Sequence, residues 1–358
     1  MTLTINEIAD VINISVSNPS ESGYDVFVGL EHYDIGEPVI TRYGSTKMLT
    51  TACKKFSAGD ILLARRNVYL RRAGVVEFDG LTSGDSIVIR VKPNLSIEGV
   101  DSNAISRLLP FILNTNAFWD FANTNSDGTM SKRLSPQMLL SYEFELPPVA
   151  DQKPLADKLW AAYKLKASKL KLIDAIDEMV KSQFIEMFGA PANNERGLAI
   201  KHLNEISDNL DSKRIPITSG DRKEGPYPYY GASGIVDHVA EYIFDETLLL
   251  ISEDGANLKD RVTPIAFTAS GRYWVNNHAH ILRFKDISLH NYVEYFINYL
   301  NVEKYLTGMA QPKLNQDRLN AIPVNMPSST DLVKFHGICN QADKSKSVCR
   351  LSIKRLAS

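Results

Sequence analysis

His278 and His280 stand two residues apart in Val275-Asn-Asn-His-Ala-His280. On a strand that spacing puts both imidazoles on one face, where they could ligate one metal ion. No third ligand is evident nearby, and the competing use is a buried or hydrogen-bonded histidine, so no metal is expected. Glu253, Asp254 and Lys259 are residue types of a metal-dependent nuclease, but Gly255 sets a turn among them, a poor frame for a hydrolytic centre. Ser, His and Asp are plentiful without the context of a triad. There is no glycine-rich cofactor loop after a strand, no Asn-Pro-Pro or Pro-Cys methyltransferase motif, and no Walker-type phosphate loop. No catalytic residue is expected.

The cations point to a different chemistry, contact with DNA. Affinity needs cations facing phosphates, and specificity needs side chains at base edges. Arg65, Arg66, Arg71 and Arg72 put four arginines within eight residues, just after the apolar run Ile61–Leu63. They cannot all be buried, and a guanidinium suits bidentate contact with phosphate or guanine. The alternative is a solvated loop making weak ion pairs. Lys132 and Arg133 follow Gly128 much as Lys313 follows Gly308. A shared basic position suits a shared backbone contact; a turn that merely needs polar residues explains it equally well. Further basic positions are Lys213, Arg214, Arg222, Lys223, Lys259 and Arg261. Tyr227, Tyr229 and Tyr230 lie beside one of these clusters; Tyr227 is the candidate contact, with core packing as the other use of such a strand. Asn276 and Asn277 offer amides to adenine edges or to turn backbone.

Composition bounds these readings. Lys+Arg 40 against Asp+Glu 42 gives the 358-residue chain a formal net charge of −2, so DNA contact must be local rather than bulk polycation binding. Apolar residues at 44% and charged residues at 23% exclude wholesale disorder. Cys53, Cys339 and Cys349 cannot build a disulfide framework and show no CxxC spacing, which fits a reducing cytosol. The start lacks the basic and apolar regions of a signal peptide, and no run approaches 18 apolar residues. A cytoplasmic chain without membrane contact is expected.

The elements that must hold these residues come in two copies. Shifted by 180 residues, Gly128–Leu134 lies over Gly308–Leu314, and Leu134–Pro147 over Leu314–Pro327. Phe111-Ile112 matches Phe296-Ile297 at an offset of 185, Asp60–Ala64 matches Thr247–Ile251 at 187, and Asn6–Asp10 matches Asn204–Asp208 at 198. The order never inverts, and drifting offsets mean loops of different length. The alternative is two unrelated α+β domains sharing turn chemistry. Each copy reads as a mixed domain with strands such as Ser86–Val91 and His280–Phe284, followed by a helix, Ala104–Asn116 or Asn291–Tyr305.

A second helix closes each copy. Residues 151–188 lack glycine, and their only proline is Pro154, acceptable in a first turn. Leu155, Leu159, Ala162, Leu170, Ile173, Ile176, Val180, Phe184 and Met187 form a stripe, and Gly189 and Pro191 supply a stop. The helix would be about 57 Å long. It needs a partner to bury that stripe, and 329–358 offers Leu332, Phe335, Ile338, Ala342 and Leu351. An antiparallel pair of unequal lengths is expected, with Leu155, Leu159, Ala162, Ile173, Val180, Phe184, Leu332, Phe335, Ile338 and Leu351 at its seam. The alternative is two amphipathic helices, each packed on its own domain. Seven Lys against six acids over 151–188 describe a solvated, ion-paired face; six Lys+Arg against two acids over 330–358 leave a net of +4.

This plan resembles the specificity subunit of type I restriction-modification systems. The resemblance is carried by Leu203–Asp208, Gly225–Gly234, Leu248–Gly255, Val275–His280 and Gly308–Asn315 in the second half, and by Phe27–Glu31 and Leu146–Lys153 in the first. It implies an α+β chain with a pseudo-two-fold repeat: two similar target-recognition domains, 1–150 and 191–328, separated by a coiled-coil spacer of two long antiparallel helices, 151–190 and 329–358. It further implies a non-catalytic subunit that binds a split site in double-stranded DNA, docks two methyltransferase subunits and, through them, restriction subunits. S-adenosylmethionine, ATP and magnesium would belong to those partners, with no cofactor on this chain. After Pro327 the family's Gln-Lys-x-Ile-Ala-type junction is not seen. The rival readings are a specificity subunit of a related split-site system with a combined methyltransferase-nuclease partner, a stand-alone DNA endonuclease, and a structural coiled-coil adaptor.

Overall fold

The computed structural model describes residues 1–128, 131–308 and 311–357. Residues 129–130 and 309–310, inside the two repeated Gly-basic loops, lie outside the described residues. The chain divides into two compact units, Met1–Leu165 and Lys166–Ser358, so the division falls within the long helix. None of the described helices is long and apolar enough to cross a membrane.

In the first unit a four-stranded sheet runs Ala9–Ile12, Ser86–Val91, Ile61–Ala64, Ala73–Val75, antiparallel throughout. The strand Ile61–Ala64 is buried at every position. Its apolar run does not alternate because both faces are covered. Ile61 and Leu63 join a core with the helices, whereas Leu62 and Ala64 join a second core beneath another sheet. That other sheet has five strands and contains one parallel pair, Val26–Val28 with Gly80–Thr82. A two-stranded ribbon, Thr2–Thr4 with Glu143–Glu145, closes the unit.

The second unit repeats this plan. Its central sheet runs Asp208–Asn209, Ala279–Arg283, Leu248–Ser252, Ala266–Ala269. Leu249 and Ile251 face the helical core, and Leu248 and Leu250 the other. A further sheet again holds one parallel pair, Tyr227–Gly231 with Arg272–Val275, and Ala199–His202 pairs with Pro323–Met326 as the closing ribbon. Registers match across the copies: Asp10 opposes Arg90 as Asp208 opposes Arg283, which keeps the offset of 198. Leu63 opposes Ile87 as Ile251 opposes His280, so the central strands align at 188 rather than the expected 187.

The expected helix Ala104–Asn116 is two helices. Ser102–Ile112 starts where the Asp101 carboxylate accepts from the amides of Asn103 and Ala104, and a new helix, Asn116–Thr124, starts where the Thr115 hydroxyl accepts from Phe118 N–H. In the second copy Asp286 caps Ile287–Tyr299, four residues before the expected start, and a 3₁₀ turn Glu303–Tyr305 follows. The apolar pattern continues across both breaks, but local caps set the boundaries.

The long helix is Val149–Phe188 and the closing helix Ser329–Ala357. Within the second unit the two run antiparallel: Phe184 and Phe188 meet Phe335 at ring centroids of 5.5 and 5.4 Å, and Asp177 meets Lys346 at 2.9 Å. Val180, Phe184, Leu332 and Phe335 share one core, with Ile176 and Ile338 packed at its edge. The buried side of the closing helix reads 332, 335, 339, 342, 346, 349, an alternating three-and-four spacing. The rest of the expected seam differs. Leu351 is exposed, Leu155 is exposed, and Ala162 and Ile173 are half-buried. Leu159 packs on the first unit's core beside Ala156, and Trp160 Nε1 donates to the Arg107 carbonyl. The stripe on the first half of the helix is thus used by its own unit. Buried Gln152 anchors it, donating to the carbonyls of Gly99 and Pro147 and accepting from Asp101 N–H.

Candidate nucleic-acid interface

In each unit the central strand, the strand beside it and the repeated Gly-basic loop meet at one end of the sheet. In the first unit Leu134 N–H donates to Arg65 O, Asn67 N–H to Lys132 O and Arg65 N–H to Asp85 O, at 2.9, 2.8 and 2.9 Å. In the second, Leu314 N–H donates to Glu253 O, Gly255 N–H to Pro312 O and Glu253 N–H to His278 O, at 2.7, 3.2 and 2.9 Å. Asn67 and Gly255 both take positive φ, 54° and 105°, where the chain turns off the strand. The ladder makes Arg65, Arg66, Asp85 and Arg133 the structural equivalents of Glu253, Asp254, His278 and Lys313.

The arginine cluster of the first unit divides by role. Arg72 braces the fold, donating to the carbonyls of Leu30 and Arg66, and burial lowers its pKa. Arg71, at φ 51°, donates to Asn116 Oδ1, and Arg65 is half-buried. Arg66 is exposed; its Nε donates to Ser131 Oγ at 2.9 Å, and its guanidinium lies 3.7 Å from Asp85. Arg133 lies 3.5 Å from the same carboxylate, and Lys132 donates to Asn123 O while staying exposed. Arg66, Lys132 and Arg133 therefore form one accessible cationic end, with Asp85 paired to both arginines.

In the second unit the equivalent end is a buried ion network. His280 Nδ1 donates to Asp211 Oδ2 at 2.6 Å, and His280 Nε2 faces Leu314 O at 2.7 Å. Glu253 is bound by Arg214 and, at 3.0 Å, by Lys313. Burial would raise the carboxyls of Asp211 and Glu253, but His280, Arg214 and Lys313 outweigh it and hold both below their ordinary values. Asp211, Glu253 and His280 bring potential metal-ligand atoms within 4.8 Å of one another. Their carboxylates are already neutralised by Arg214 and Lys313, so the arrangement is closed by its own cations. His278, expected to share a face with His280, points elsewhere: it is exposed, and its Nδ1 lies 2.8 Å from Asp254. Lys259 is exposed on the short helix Asn257–Asp260 and makes no ion pair with Glu253 or Asp254 among the described residues.

The remaining candidates also separate. Arg222 lies over the Tyr229 ring at 4.5 Å and pairs with Asp237 at 3.0 Å; Arg261 donates to the carbonyls of Asn298 and Leu300 at a helix end. Tyr227 is half-buried against Tyr242, and Tyr229 is buried. Lys213, Lys223 and Lys313 are exposed. Asn276 is buried, its Oδ1 accepting from His278 N–H, the turn role considered for it. Sequence reasoning missed Asp85 and the His278–Asp254 pair, because only the strand register brings them together.

Residues 196–333, within the second unit, match the family model described as "Type I restriction modification DNA specificity domain". The chain is similar to a putative type I restriction enzyme specificity subunit of Haemophilus influenzae, 31% identical over 138 residues. That alignment covers 38% of this chain and 35% of that protein. Among solved structures it is similar to the S subunit of a type I restriction-modification system from M. genitalium, with a TM-score of 0.60, 14% identity, and coverage of 100% of this chain and 92% of that one. It is also similar to a chain from a study of complex assembly and conformational transition of the type I R-M system, with a TM-score of 0.51, 14% identity, and coverage of 100% and 94%. At these identities the structures establish a shared α+β fold.

Proposed function

We propose that this chain is the DNA sequence-recognition subunit of a type I restriction-modification complex, each unit reading one half of a split site in double-stranded DNA. One observation carries this reading: the domain matched in the second unit has a structural duplicate in the first, down to the hydrogen-bond ladder at one end of the sheet. A duplicated reader suits a bipartite target. The ladder end is the proposed DNA face, with Arg66, Lys132 and Arg133 in the first unit and Lys313 in the second toward phosphates. Arg65, Arg71, Arg72, Lys213, Arg214, Arg222, Lys223, Tyr227, Lys259 and Arg261 are the further residues proposed to serve DNA binding, by contact or by holding the frame. The long and closing helices act as a spacer and docking surface for two methyltransferase subunits, through which restriction subunits attach. The chain itself performs no chemistry in this scheme; S-adenosylmethionine, ATP and magnesium act on the partners, in the cytoplasm.

The test is selection of bound duplexes from a randomised pool by the purified full chain, with and without its methyltransferase. A motif of two short specified blocks around an unspecified spacer is the expected result. Selection of one continuous block, or of nothing, rejects the proposal. Metal-dependent cleavage by the chain alone would favour the endonuclease reading.

A further inference from the structure

Asp254 and His278 occupy the positions that Arg66 and Asp85 hold in the first unit, at the same end of the same sheet. In both copies the pair is one cation or imidazole against one carboxylate, with the order reversed. The Asp254 side chain is only 19% exposed and backs a ring that is half exposed. A carboxylate accepts only, so the ring nitrogen facing it, Nδ1, carries the hydrogen. In the neutral form of that tautomer Nε2 is a lone-pair acceptor, and Nε2 has no partner among the described residues.

We propose that His278 is a specificity-determining residue of the second unit, accepting a hydrogen bond at Nε2 from an exocyclic amino group of a base, with Asp254 as the residue that positions the ring. This rests on the recognition reading above. Phosphate oxygens are acceptors and could meet Nε2 only after the ring takes up a second proton, whereas the neutral ring needs a donor. The donors that DNA offers in its major groove are the amino groups of adenine and cytosine. Lys313, exposed and 3.0 Å from Glu253, supplies the cation that lets an acid-backed ring approach the duplex. The two copies thus use one backbone frame for different readouts: a guanidinium donor at Arg66 in the first, an imidazole acceptor in the second.

The experiment is the same duplex selection with the full chain, comparing wild type, His278→Ala, Asp254→Ala and Asp254→Asn. Wild type is expected to specify one base pair in one half-site, and to lose that preference when the exocyclic amino group of its adenine or cytosine is removed by a base analogue; the pair identified tells which amino group is read. His278→Ala should reduce that preference about tenfold, the scale of one lost base contact, with the other half-site unchanged. Asp254→Ala should weaken it, whereas Asp254→Asn, which still accepts from Nδ1–H, should retain most of it. All three variants should unfold at the wild-type denaturant midpoint, since neither side chain is in the core. If wild type selects a split motif that His278→Ala preserves at every position, this inference fails and the recognition reading stands. A His278-dependent preference that survives replacing the adenine or cytosine of that pair by an analogue lacking the exocyclic amino group overturns it too. If wild type selects no motif, the recognition reading fails and takes this inference with it.

Discussion

Arg66 and Asp254 occupy one backbone position in two copies of one fold and carry opposite charges. Each follows a buried central strand, each lies beside the repeated Gly-basic loop, and each pairs across the strand end, Arg66 with Asp85 at 3.7 Å and Asp254 with His278 at 2.8 Å. The frame is kept by backbone hydrogen bonds, so the side chains are free to differ. The first unit ends in an accessible cluster of cations, whereas the second ends in an ion network that neutralises itself.

The first unit should therefore carry much of the salt dependence of DNA binding. The double change Arg66→Ala/Arg133→Ala removes two exposed cations whose one ionic partner among the described residues is Asp85. The slope of log K against log salt should become shallower by about two, at about 0.9 per phosphate contact. Fluorescence anisotropy between low and moderate salt reads this, and an unchanged slope would remove both residues from the interface.

Phe184 is fully buried and packs against Phe188, Tyr292, Tyr299 and Phe335. Phe184→Ala should destabilise the second unit by about 3–5 kcal/mol. Leu351→Ala, at an exposed position of the closing helix, should change stability by less than about 0.5 kcal/mol. Denaturant unfolding of the full chain compares them, and equal effects would place Leu351 in a helix seam after all.

Lys346 sits on the buried side of the closing helix, with its ammonium 2.9 Å from Asp177 and 3.0 Å from Asp343. Burial lowers its pKa, but the two carboxylates more than compensate and leave it raised. Both carboxylates remain more than half exposed. Lys346→Met removes the buried cation and leaves both of its ion-pair partners in contact with solvent, so stability should stay within about 1 kcal/mol or rise. A loss of several kcal/mol in thermal or denaturant unfolding would show that the pair is essential to the helix packing.

Glu294 and His290 give the second unit a balanced pH response. Burial raises the Glu294 carboxyl to about 7 despite the Thr268 hydroxyl bonded to it, and burial lowers His290 to about 4. Glu294 binds its proton more tightly when folded, so its contribution is full below about pH 4.5 and is lost as pH rises through about 7. His290 binds its proton less tightly when folded, so its contribution is full above about pH 6.5 and is lost as pH falls toward 4. The two slopes oppose each other between pH 4.5 and 6.5. Glu294→Gln leaves only the histidine slope, so the variant should gain stability relative to wild type as pH rises from 4.5 to 7, by on the order of 2–3 kcal/mol. A stability difference independent of pH would contradict the assignment.

The duplication and the long helix are legible in the sequence because both are long patterns: repeated Gly-basic-Leu loops in one order, and 38 residues without glycine. The seam is only half legible. Leu155 and Leu351 have the right spacing, but a stripe on a helix does not say which body covers it, and the first unit takes Ala156 and Leu159 for its own core. Helix boundaries shifted because Asp101, Thr115 and Asp286 act as caps whose pull is local. The basic residues are visible as a set, yet their roles depend on tertiary contacts; nothing in the letters separates exposed Arg66 from Arg72, which holds two backbone carbonyls. Pairing of His278 with Asp254 across 24 residues is set by strand register alone.

The central claim, a duplicated reader of split DNA sites, meets its most direct test in the cell. Methylated bases are mapped genome-wide in the parent strain, in a strain lacking this gene, and in that strain carrying the Arg66→Ala/Arg133→Ala chain. The account predicts a split motif in the parent that vanishes on deletion and returns, weakened, with the variant. A methylation pattern unchanged by deletion would contradict it.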